Sequence, residues 1–102
     1  LSFTDLSGVS VRPALIVSDG QIGSDVILIG ISSVVRGGLV PTDITVAMTH
    51  SEFHQTGLRV TSLLRAHKLA AVERSVIVRR FGTLGPVLQA DVDQALRNVL
   101  RL

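Results

Sequence analysis

The stretch "VRPALIVS" (Val11–Ser18) sets an arginine and a proline at the mouth of an apolar run. Pro13 has no N–H and a fixed φ, so it suits the first position of a strand and not its interior. It also keeps Arg12 out of the helical region and holds it extended. The stretch reads as a short buried strand with a guanidinium at its entrance. A solvated arginine at a strand end and a cation placed for a ligand both fit that position.

Downstream, "SDGQIGSD" (Ser18–Asp25) reads as a turn, and "VILIGIS" (Val26–Ser32) as a β-branched strand buried on both faces. "RGG" (Arg36–Gly38) reads as loop. In "DITVAM" (Asp43–Met48), Ile44, Val46 and Met48 share one face of a half-buried strand. "THSEFHQTG" (Thr49–Gly57) is polar and turn-rich, and Leu58–Val60, Ser62–Leu69 and Val76–Phe81 read as further strands. Upstream, "TDLSG" carries a turn signal in Asp5, Ser7 and Gly8.

The period changes at Pro86. Leu88, Val92, Leu96, Val99 and Leu100 recur at helical spacing, with Gln89, Asp93, Arg97 and Arg101 on the other faces. The sum is a mainly β chain with a C-terminal helix: five or six short strands in a small, mostly antiparallel barrel or half-barrel. Residues 1–102 form one domain, with no repeat and no linker.

Composition narrows the class. The 102 residues are 46% hydrophobic and 18% charged, with a mean hydropathy of +0.49, against about 25% charge in average soluble domains. The longest apolar run, Val26–Ile31, is far short of the ~20 residues of a spanning helix. No basic-then-apolar leader opens the chain. The apolar excess therefore points to a subunit interface, with cytoplasmic location as the default. Cysteine is absent, which excludes disulfides and thiolate metal sites. Nine of the ten cations are arginine, Lys68 being the exception. Arginine's planar fork suits phosphate, although coding bias in a GC-rich genome produces the same preference. With no Trp, no Tyr and three Phe, an aromatic base-stacking platform of the usual kind is not expected.

His50 and His54 stand four apart with Glu52 between, but the H-E-x-x-H pattern and a third ligand are missing. Exposed turn histidines are expected there, with no metal and no cofactor. "RGG" lacks the lysine and hydroxyl of a phosphate loop. Metal-free RNA cleavage is one chemistry that the inventory could support. The substrate brings its own 2′-OH nucleophile, and the protein supplies positive charge and proton transfer.

The ordered series "RPALIVS", "ISS", "VPTDI", "GLRVTSLLRAHKL" and "RRFGTL", followed by an amphipathic helix, resembles the MazF/PemK family of toxin endoribonucleases. The resemblance implies an SH3-like barrel of the MazF/CcdB toxin type that forms a homodimer. It implies sequence-specific, metal-independent cleavage of single-stranded mRNA and neutralisation by a cognate antitoxin. It also implies a catalytic pair, Arg12 on the phosphate and Ser32 holding the phosphate or the arginine. Ser33, Arg79 and Arg80 are the expected RNA contacts, Arg79 and Arg80 lining the channel or facing solvent at a strand edge. The alternative is a non-catalytic relative or a CcdB-like gyrase poison that binds antitoxin without cutting RNA.

Three departures stand beside the resemblance. Ser32 occupies a position that is usually threonine, and Val11 one where some members have histidine. Family members also begin with a strand ahead of "FTDLSG", whereas this sequence starts almost on that segment; a strand genuinely absent there would leave a sheet edge open. Asp5, the acid nearest Arg12 in sequence, is a conceivable base.

Overall fold

The computed structural model describes residues 1–8, 12–18, 22–35 and 39–102; Val11 and the expected "RGG" loop lie outside them. Six strands and two helices follow in the order β1 (Ser2–Leu6), β2 (Arg12–Ile16), β3 (Asp25–Ser32), β4 (Asp43–Val46), α1 (Phe53–Thr56), β5 (Ser62–Glu73), β6 (Ile77–Thr83) and α2 (Pro86–Leu100). A 3-10 turn, Arg74–Val76, joins β5 to β6. All strand pairings are antiparallel, in the spatial order β4-β5-β3-β2-β1-β6.

The mainly β class with a closing helix holds, but the sheet is not shut into a barrel: β4 and β6 are its edges. The helices take the place of the missing hydrogen-bonded closure. α1 packs against β6, and α2 against β4 and β5. Between Ile29 and Gly30 the β3–β5 register breaks, since Ile29 pairs with Leu69 and Gly30 with Arg65. The extra residues in β5 bend the sheet at that point.

"FTDLSG" is the main correction. Ser2–Leu6 is itself a strand, paired on one side with β2 and on the other with β6. The turn residues Asp5 and Ser7 misled because pairing on both flanks outweighs local propensity. The segment expected to be a turn thus fills a strand position between β2 and β6. Three smaller corrections follow. Leu58–Val60 is not a strand, Phe53–Thr56 forms one helical turn inside the polar segment, and β5 runs on to Glu73. Met48 lies beyond the end of β4 and is 55% exposed, not on the buried face with Val46.

Phe3, Leu15, Ile29, Val46, Phe53 and Leu64 form the core with Leu88 and Val92 of α2. Burial of each large side chain contributes roughly 1.5–3 kcal/mol. Leu15 and Ile29 are direct cross-strand partners on this face. β3 buries Val26 and Leu28 on one face, while on the other Ile29 is buried and Ile27 and Ile31 are only half-buried.

α2 begins at Pro86, whose missing N–H costs nothing in the first turn. Glu52 receives the next two amides: Val87 N–H donates to Oε2 at 2.9 Å and Leu88 N–H to Oε1 at 2.8 Å. A carboxylate at a helix N-terminus also meets the favourable end of the macrodipole. Desolvation raises the Glu52 pKa, but the Leu88 and Val87 amides, with His50 nearby, outweigh it and hold the carboxyl below its ordinary value. Gly85 leaves room for this contact, since a Cβ there would strike the Glu52 carboxyl group. Among the described residues, no helix is long and apolar enough to cross a membrane.

Candidate active site

The last β2–β3 ladder pair is Ala14 with Gly30. Two residues farther along each strand come Arg12 and Ser32, where the strands stop pairing and side chains are free to serve something else. Both line a cavity of about 660 Å³, together with Ser33 of the β3 end and Arg79 of β6. Arg12 is exposed and, among the described residues, has no ion-pair or hydrogen-bond partner. Pro13 beside it is also in the wall, so the stiff strand entrance read from the sequence opens onto a cavity.

Ser32 is anchored locally. Its Oγ accepts the Val34 N–H at 3.1 Å and lies 3.5 Å from the Val34 carbonyl oxygen. The first contact fixes the oxygen, and the second is too long to hold the hydroxyl proton firmly. The serine therefore presents a positioned oxygen with a proton to give.

Arg79 sits directly across the β1–β6 pair from Asp5. Its Nε donates to Asp5 Oδ2 at 2.8 Å, while its side chain stays 60% exposed. Its guanidinium carbon lies 5.5 Å from the centre of the Phe81 ring. Arg80, the next residue, is on the opposite face of the strand, paired with Thr4, and does not reach the cavity. Of the five residues marked from sequence, four converge and Arg80 does not.

The far wall is the segment after α1, which carries Leu58, Arg59 and Ser62. It is tied down at both ends. The buried Thr56 hydroxyl donates to the Phe53 carbonyl at 2.6 Å and accepts the Leu58 N–H at 3.1 Å. At the other end Ser62 Oγ donates to the Val60 carbonyl at 2.8 Å, and Thr61 Oγ1 accepts the Met48 N–H at 3.1 Å. Gly57, at φ +73, ends α1 in the left-handed region that glycine adopts without strain. A Cβ there would collide with the Phe81 carbonyl. This contact packs the rim onto β6.

Arg59 falls in Leu58–Val60, which reads as a strand; the signal for it is Gly57, a helix-ending glycine that makes the next residues a rim. With it, among the described residues, the cavity carries three arginines against one carboxylate, Asp5. Such a wall attracts an anionic ligand.

His50 and His54 do not join the cavity. His50 Nδ1 accepts the Glu52 N–H at 3.0 Å. Among the described residues no group of three or more His, Asp or Glu gathers as a metal site.

Comparisons with known proteins agree with this architecture. The Mycobacterium tuberculosis toxin MazF-mt6 superposes with a TM-score of 0.79 at 19% identity, over 100% of this chain and 98% of that one. A mycobacterial endoribonuclease in complex with its cognate antitoxin gives 0.78 at 19%, over 99% and 92%. A MazE–MazF structure from Deinococcus radiodurans gives 0.75 at 16%, over 97% and 90%. At these identities the likeness establishes the shared fold. No curated protein sequence matches the chain. Residues 4–100 do match the family described as the PemK-like, MazF-like toxin of type II toxin–antitoxin systems, and the chain belongs to that family.

Proposed function

We propose that this protein is a sequence-specific, metal-independent endoribonuclease that cuts single-stranded mRNA in the arginine-lined cavity, acts as a homodimer and is silenced by a cognate antitoxin. The observation that carries this reading is the convergence of Arg12, Ser32 and Arg79 on one cavity, with Arg12 unpaired among the described residues.

In the proposed reaction the 2′-OH gives up its proton and attacks the adjacent phosphorus. The bond to the 5′ oxygen breaks, and that oxygen takes up a proton from water. A 2′,3′-cyclic phosphate and a 5′-hydroxyl end result. Arg12 stabilises the extra charge on the phosphoryl oxygens as the five-coordinate state forms. Ser32 donates a hydrogen bond from its hydroxyl to one of those oxygens. Asp5 is the carboxylate in the wall; Arg79 holds Oδ2, which leaves Oδ1 to accept the 2′-OH proton. Arg59 on the rigid rim adds positive potential along the strand.

Antitoxin binding follows from the same surface. An acidic, apolar segment that orders on binding would compete with RNA for the three arginines.

The test incubates purified protein with a long single-stranded RNA in excess EDTA, beside Arg12→Ala, and maps the new ends. Discrete cuts ending in 2′,3′-cyclic phosphate are expected from the wild type, with activity down ~100-fold or more in the variant. Intact RNA with folded wild-type protein would overturn the reading in favour of a non-catalytic antitoxin binder or a gyrase poison.

A further inference from the structure

Phe3, Phe81 and Arg79 lie in layers from the core to the cavity. Phe3 is fully buried, and its ring centre is 6.1 Å from that of Phe81 at a tilt of 34°. Phe81 is half-buried and lines the cavity, with the Arg79 guanidinium 5.5 Å above its ring. Arg79 is the outermost layer, 60% exposed. Asp5 holds its Nε at 2.8 Å, which fixes the swing of the side chain about that bond. The chain has no Trp and no Tyr to offer as an exposed ring, yet this arrangement ends in a flat, delocalised group.

We propose that the Phe3–Phe81–Arg79 column is a stacking platform, on which Arg79 receives the face of a nucleobase next to the cleaved phosphate. The proposal rests on the RNA reading given above and assigns Arg79 a different task from Arg12. Arg12 has no partner among the described residues and meets phosphate as a charge. Arg79 has already spent charge on Asp5 and is backed by an aromatic ring, the setting in which guanidinium stacks on flat π-systems. Base stacking of this kind tolerates any base and adds affinity without reading an edge.

Two pairs of properties separate stacking from phosphate contact. A phosphate contact follows the strand's charge and the salt concentration, falling with a slope of about one per contact. A stacking contact follows the presence of a base. The probes are two 12-residue 2′-O-methyl strands, one of uridines and one abasic throughout, with equal phosphate spacing and no cleavable 2′-OH. Both are titrated against wild type, Arg79→Lys and Phe81→Leu at several salt concentrations, with circular dichroism confirming the fold of each variant. Arg79→Lys keeps the charge and the Asp5 partner and loses the flat surface.

Wild type is expected to bind the uridine strand about 10-fold more tightly than the abasic one. Arg79→Lys should remove most of that preference and leave the salt slope unchanged, and Phe81→Leu should weaken it in part. A preference unaltered in Arg79→Lys, or equal wild-type affinity for both strands, would overturn the platform and leave the RNA reading standing. Failure of wild type to bind either strand would overturn both.

Discussion

Among the described residues, two arginine–aspartate pairs are built alike but set in different surroundings. Asp5 faces Arg79 across β1–β6, and Asp43 faces Arg65 across β4–β5, each pair directly opposed in an antiparallel ladder. At the β4 edge, Arg65 makes two bonds, Nε to Oδ1 at 3.2 Å and Nη2 to Oδ2 at 3.4 Å. The Asp43 side chain is 1% exposed, its Oδ2 also accepts the Val40 N–H at 3.1 Å, and His67 Nδ1 lies 3.8 Å away. At the cavity, Asp5 has one bond to an arginine that is mostly in solvent. A buried carboxylate with every partner occupied is an architectural joint. A carboxylate with an unspent oxygen on a cavity wall is available for chemistry. Partner count and burial, not the residue pair, separate the two.

The sharpest break in this symmetry is expected from the same substitution at both sites. Asp5→Asn should lower RNA cleavage by ~100-fold or more while moving the urea midpoint little, since exposed pairs contribute about 0–1 kcal/mol. Asp43→Asn should do the reverse. It strands a partly buried Arg65 and weakens the Val40 contact, costing about 2 kcal/mol in urea unfolding, with cleavage per folded molecule unchanged. Equal stability losses at the two sites would sink the distinction.

A smaller effect is expected at the rim. Thr56→Val removes the hydroxyl that joins the Phe53 carbonyl to the Leu58 amide. About 1–2 kcal/mol of stability should be lost, and cleavage should fall through a looser Arg59 wall. An unchanged reaction rate would show that the rim is not a positioned part of the site.

The smallest effect concerns the Glu52 clasp, which belongs with Asp43 as architecture. Its folded pKa lies below the unfolded value, near 4.5. Its stabilisation is therefore complete above that value and is lost as pH falls through the folded pKa. Wild type should exceed Glu52→Gln in stability at pH 7, and the gap should narrow at pH 3. A gap of constant size would assign the clasp to packing and not to ionisation.

The sequence was readable where one local rule decided the outcome. Pro13 marks the strand entrance beside Arg12, and the change of period at Pro86 marks α2, whose buried residues Leu88 and Val92 were expected. It was opaque where the answer lay in distant partners. Ser2–Leu6 looks like a turn until β2 and β6 flank it. Arg59 looks like a strand residue until Gly57 and Thr56 turn its segment into a rim. Arg79 and Arg80 are neighbours of identical type, and only the β1–β6 register decides which of them faces Asp5.

Asp5 and Arg79 are 74 positions apart, and that separation has a consequence for how the protein is made. Chains emerge from the ribosome at about 5–20 residues per second, and their early parts collapse first. β1 and β2 are available long before β6, so a nascent chain holds Arg12 and Ser32 for seconds without the wall that completes their cavity. A pairing this remote also closes slowly once its partner arrives. The cavity therefore becomes whole only once β6, which carries Arg79 74 positions after Asp5, has been made.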